Sequence, residues 1–421
     1  MTPGPEHGLA RELLSLCLAS SSNSTGTNAG RGGTEPARQA SGGCPPFAAQ
    51  PPAGDSQTTG DWDALIHLAI EQGVAPLLAV RTRNLRLPVP IRERLELIYR
   101  ANSLRNLRLT AEESRISAAL SAAGLRHWPL KGPGLSERLY ADIGVRQVAD
   151  LDFLVGPGSL ASADAALAGL GYVRHTAGPI ESLARAQELI YVHQPAPPAR
   201  SSASSLVTGQ SSLATSFHLD LHQRLLPYVR RDPLAASVFA SGMTRENLLL
   251  YLCANQITHR FARLRYLCDV AAFLAGEGSS VDWDAFLATA RRMHWGPGIG
   301  LALDWAVDLV PGSVPAHVLH ALRRNPLGSM LLRHSLGSGA ADAASRTRRL
   351  DGPGGAPVSL GSTYLGTPAA CAIAWNMVFP SRAYLREQTG APQGRSLAPA
   401  YATRLLRKIP GALRHLLKPA S

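Results

Sequence analysis

Val148-Ala149-Asp150-Leu151-Asp152-Phe153-Leu154-Val155 is an apolar segment interrupted by two aspartates, and the fold turns on how it is read. As a strand, it places residues two apart on one face, so Asp150 and Asp152 point together while Leu151, Phe153 and Val155 point to the other side. A rise of about 3.3 Å per residue sets the two carboxyl groups roughly 6–7 Å apart along the strand, a gap that an oxygen-seeking divalent cation can bridge. Without a cation the two acids would repel each other and bear a desolvation cost. A bare Asp-x-Asp also suits an exposed strand end that caps the next helix.

The flanking sequence adds context. Gly156-Pro157-Gly158-Ser159 is a turn, Leu160, Ala163, Leu167 and Leu170 then fall on one helical face, and Gly171 precedes a second strand around Tyr172-Val173. The unit is strand, helix, strand. A further alternating segment, Phe217-His218-Leu219-Asp220-Leu221-His222, puts three apolar residues on one face and His218, Asp220 and His222 on the other. Asp220 is a candidate third carboxylate for the pair on the neighbouring strand. The two histidines suit ligands, partners of a base, or half-buried core positions.

Upstream, the short apolar run ending in Trp128 enters Leu130-Lys131-Gly132-Pro133-Gly134, a strand running through a glycine-rich turn into a helix over Leu135, Leu139 and Tyr140. Backbone N–H groups at Gly132 and Gly134, with Lys131 beside them, suit phosphate oxygens, and a plain turn with an exposed lysine is the competing reading. Pro133 offers no N–H. Arg146 either clamps phosphate or neutralises the carboxylates.

Segment patterning gives a seven-part organisation. An N-terminal helix spans 1–19 and a disordered Ser/Gly/Thr/Pro linker 20–60, followed by helices over 61–125 that open on Asp61-Trp62. A mixed strand-and-helix core covers 126–235, with 194–216 as a flexible insertion. An all-helical lobe follows over 241–335, then a flexible linker over 336–361 and a basic helical tail over 362–421 that is amphipathic around Arg404–Lys418.

With 421 residues, 45% hydrophobic and 17% charged, the chain is too long for one ordinary domain. No run of eighteen apolar residues suggests a membrane span. A formal charge of +12 favours anionic partners, although arginine dominates: Lys131, Lys408 and Lys418 are the lysines among 42 basic residues. Five scattered cysteines with no C-x-x-C spacing suit a reducing cytosol, hence a cytoplasmic protein, and form no zinc knuckle. No recognised motif supports nucleic-acid binding.

Taken together, Asp61-Trp62, Gly73-Val74-Ala75-Pro76-Leu77-Leu78, Trp128-Pro129-Leu130-Lys131-Gly132, Leu139-Tyr140, Arg146-Gln147, Asp150-Leu151-Asp152-Phe153-Leu154-Val155, Leu170-Gly171-Tyr172 and Asp220-Leu221-His222 resemble the uncharacterised bacterial nucleotidyltransferases of the DNA polymerase beta-like superfamily. Leu264-Arg265-Tyr266-Leu267-Cys268-Asp269 and the Asp282-Trp283 helix look like the helical lobe of that family. The resemblance implies an α+β fold, a small mixed sheet flanked by N-terminal helices and an all-helical C-terminal lobe. It implies a nucleoside triphosphate (NTP) as co-substrate with two magnesium ions (Mg2+), and an acceptor hydroxyl on a small molecule or peptide, since such proteins often accompany peptide natural-product gene clusters. By the same resemblance Asp150, Asp152 and Asp220 are the catalytic metal ligands, with Asp220 accepting the proton of the attacking hydroxyl, and Lys131, Gly132, Gly134 and Arg146 hold the nucleotide. This sequence departs from the wider superfamily at Gly132-Pro133, where Gly-Ser or Gly-Gly is usual, and in the eighteen-residue gap from Gly132 to Asp150.

Two rival readings remain open at this level. One is a metal-dependent hydrolase using His218, Asp220 and His222 as ligands from alternate strand positions. The other is a catalytically inactive peptide-binding module that keeps the fold.

Overall fold

The computed structural model describes residues 61–175, 188–193, 217–226, 232–259, 261, 263–323, 396–399 and 401, together with Leu13 and Cys17. The expected linkers at 20–60 and 336–361, the insertion at 194–216 and most of the basic tail lie outside these residues. So does the N-terminal helix, apart from Leu13 and Cys17, which are helical and buried.

Three helices open the described chain: α1 (Trp62–Glu71), α2 (Ala75–Arg81) and the long α3 (Val89–Ala122). Asp61 caps α1 by accepting from the Ala64 N–H at 3.0 Å, as the acidic start in the sequence predicts. The core follows as β1 (His127–Pro129), α4 (Pro133–Tyr140), β2 (Leu151–Val155), α5 (Leu160–Gly169), β3 (Tyr172–Arg174), β4 (Glu188–His193) and β5 (His218–His222). The lobe comprises α6 (Pro233–Ser241), α7 (Arg245–Thr258), α8 (Leu264–Glu277), α9 (Trp283–Met293), α10 (Gly296–Leu309) and α11 (Ala316–Leu322).

The five strands form one mixed sheet in the order β1-β2-β5-β4-β3. β2 and β5 are parallel, and the other neighbours are antiparallel. The strand-helix-strand unit is therefore split: β5 and β4 lie between β2 and β3. β4 inserts there because Leu189 and Tyr191 alternate inward, a pattern too short to stand out in the sequence.

Alternation gives the sheet two unlike faces. Leu151, Phe153 and Val155 of β2, Leu219 and Leu221 of β5, and Leu189 and Tyr191 of β4 pack on Leu109, Ile116 and Leu120 of α3 and on Leu160, Ala163 and Leu167 of α5. On the opposite face, Leu154 joins Leu130, Leu135 and Leu139 in the same apolar cluster as α6 through α10. Asp152 and Asp220 belong to this second face, beneath the lobe.

Helix α3 also fixes the irregular chain that leads into β2. Asn102 donates to the carbonyls of Gly144 and Arg146, and Asn106 to those of Ile143 and Arg146. Arg105 donates to the Val148 and Ala149 carbonyls at 3.0 and 2.7 Å. With those carbonyls taken, strand pairing begins at Leu151, three residues later than the apolar run suggests, and Asp150 stands just before the strand.

Candidate metal and nucleotide site

Parallel pairing sets Asp152 directly beside Asp220, and Leu154 beside His222. One ligand atom from each of Asp152, Asp220 and His222 lies within 4.8 Å of the others. Asp152 is the centre of the group. Its side chain is fully buried, and its Oδ1 meets the Lys131 Nζ at 3.1 Å and the His222 Nε2 at 2.9 Å. Its Oδ2 is buried with no hydrogen-bond partner. An unpartnered carboxylate oxygen in the interior is costly, and a second carboxylate beside it makes the spot a place for a cation.

Burial opposes charge on both Asp152 and Lys131, yet each stabilises the other. The His222 hydrogen bond and the Lys131 charge hold the Asp152 carboxyl below its usual range. Asp152, with Asp150 and Tyr251 adding to its field, holds the Lys131 ammonium above its own. With His222 and Lys131 both on Oδ1, the carboxylate is oriented and Oδ2 is left without a hydrogen-bond partner. These residues fit a divalent ion: two carboxylates supply hard oxygens and the imidazole either orients or ligates.

Asp150 lies outside that group of three. It is half-buried at the mouth of β2, and its charge reaches Lys131 and Tyr251. His218, required by the hydrolase reading, is exposed and stands apart from the group as well.

Arg146 is paired with Asp269 rather than with Asp150 or Asp152. Its guanidinium is buried, with Nε on Asp269 Oδ2 at 2.9 Å and one amino group on the Lys131 carbonyl at 2.7 Å. Asp269 also accepts from the Tyr140 hydroxyl at 3.0 Å. An acid on the buried face of α8 needs a cation, and Arg146 supplies it. The solitary Asp269 among Leu267, Val270 and Ala271 is the sequence signal for this contact.

The glycine turn has its own use. Gly132 is the N-cap of α4, with Pro133 at the first helical position. A Cβ at Gly132 would stand 1.8 Å from Oε2 of Glu113 on α3, so the missing side chain admits that carboxylate against the turn. Burial pushes the Glu113 carboxyl up. Gly134 is exposed beside it. Neither Glu113 nor Tyr251, a buried lobe residue whose hydroxyl pKa is raised first by burial, stands out in the sequence.

A family model described as an uncharacterised nucleotidyltransferase matches residues 58–311, more than half of the chain and all of the geometry above. The chain belongs to this nucleotidyltransferase family. No curated protein and no solved structure matches the chain. The five-stranded mixed sheet and its helices are consistent with a nucleotidyltransferase core. Among the described residues no helix is long and apolar enough to cross a membrane.

Proposed function

We propose that the chain is a cytoplasmic nucleotidyltransferase that moves a nucleoside monophosphate from an NTP to an acceptor hydroxyl. The observation that carries this reading is the buried Asp152, paired in register with the half-buried Asp220 and with its Oδ2 unpartnered. Asp152 and Asp220, with Asp150 at the mouth of β2, would hold Mg2+. Bound there, the cation would supply neutralisation of the charge that builds on the phosphate oxygens.

The chain's own groups do the rest. Asp220 accepts the proton of the acceptor hydroxyl, whose oxygen bonds to the α-phosphorus as the bond to pyrophosphate breaks. Lys131, reachable from the Gly132 turn, screens the phosphate chain. His222 keeps the Asp152 carboxylate aimed. Arg146 and Asp269 hold the Lys131 backbone, so positioning and charge carry the rate. The hydrolase reading is weaker because His218 stands apart from the other ligands.

The test is release of labelled pyrophosphate from each NTP with Mg2+ and candidate hydroxyl acceptors. Asp152→Asn and Asp220→Asn should each lose about 10³-fold or more, the equivalent of several kcal/mol at the transition state, with unchanged circular dichroism. Undiminished turnover in either variant removes the proposal.

A further inference from the structure

At the end of α7 the imidazole of His259 lies flat on the ring of Tyr266, with centroids 4.5 Å apart and planes 8° from parallel. Tyr266 is buried and His259 is exposed, so His259 forms the solvent side of the stack. The platform is held from behind. Arg265 sits 4.6 Å from the Tyr266 centroid and donates to its hydroxyl at 2.6 Å, while the Arg265 N–H reaches the Gln72 carbonyl at 3.3 Å. The Arg265 stem fills the space beside Gly73, where a Cβ would meet its Cδ at 2.8 Å.

The platform is tied to the carboxylate site by a short chain of contacts. Tyr266 lies one helical turn before Asp269 on α8. Asp269 binds Arg146, Arg146 binds the Lys131 carbonyl, and the Lys131 ammonium meets Asp152. His259 feels the charges of both Lys131 and Asp152. Partial burial of the ring, then the charges of Lys131, Arg265 and Arg263, lowers its pKa to about 4, so the ring is neutral near pH 7. A neutral, preorganised ring beside a phosphate-handling site suits a flat, uncharged group on the same ligand.

We propose that the solvent side of His259 is the stacking platform for the base of the nucleotide whose phosphates are handled at Lys131, Asp152 and Asp220. This rests on the nucleotidyl-transfer reading and adds the residue that recognises the base. Stacking of a base on an aromatic ring contributes about 1–3 kcal/mol, or roughly 5- to 150-fold in affinity.

The experiment is calorimetric titration of the full chain with ATP and, separately, with inorganic tripolyphosphate, in Ca2+ so that turnover is suppressed. His259→Ala should weaken ATP by about tenfold or more and leave tripolyphosphate unchanged, and His259→Phe should restore ATP. Equal weakening of both ligands, unchanged ATP binding in His259→Ala, or no rescue by phenylalanine would each overturn the platform while leaving nucleotidyl transfer intact. If the unaltered chain bound neither ATP nor tripolyphosphate, the transfer reading would fall, and the platform with it.

Discussion

Arg146–Asp269 and Lys131–Asp152 lie on the two sides of one residue, joined where Arg146 binds the Lys131 carbonyl. Both are buried acid–base pairs with contacts near 3 Å. They differ in how the acid is finished. Asp269 has one oxygen on Arg146 and the other on Tyr140. Asp152 has two donors on one oxygen and none on the other. A pair whose atoms are all satisfied holds two elements together, here the Lys131 turn and α8. A pair with an atom left over is open to a further ligand.

The sharpest way to break this contrast is to cut each pair in turn. Asp269→Ala strands a guanidinium whose side chain is 4% exposed, and urea unfolding should show a loss of about 3–5 kcal/mol. Asp152→Asn should cost less than half of that, because Lys131 is 16% exposed and can reach water. Equal losses would erase the distinction between a sealed pair and an open one.

Metal linkage sharpens it from the other side. A divalent ion at a hundred times its dissociation constant should stabilise the unaltered chain by about 2.7 kcal/mol in thermal or urea unfolding. Asp152→Asn should lose this gain while a conservative change away from the cluster keeps it. Protection that survives in Asp152→Asn would place the ion elsewhere.

The smallest effect concerns an outer tie between core and lobe. Glu277 on α8 accepts from Arg138 of α4 at 2.7 Å and from Arg245 of α7 at 3.1 Å, and the Arg138 hydrogen bond heads the causes that lower its pKa. A lowered acid contributes stability above its ordinary value of 4.5, and loses it as pH falls through the lower folded-state value. Glu277→Gln should therefore cost no more than about 1 kcal/mol at pH 7, and its unfolding curve should converge with that of the unaltered chain as pH falls through that lower folded-state value. Curves that stay equally far apart at low pH would show that the charge is not the cause.

Much of the core was legible because its signals are local. The alternation around Asp152 and around Asp220 gave both strands and their polar faces, and the capping acid at Asp61 gave the start of α1. Arg146 was legible as a charged residue near the site but not as a partner of Asp269, 123 positions away. Glu113 and His259 carry no motif, and they matter only through what packs on them.

By itself the sequence determined the side-chain period, and therefore which residues of β2 and β5 share a face. It also determined family membership, which rests on residue types in order. Tertiary structure alone decided that β5 lies next to β2 in register, that Asp150 stands outside the ligand group, and that Arg146 turns inward to Asp269. Periodicity is a property of neighbouring residues, whereas strand order and charge pairing depend on which distant segments burial brings within a few ångströms.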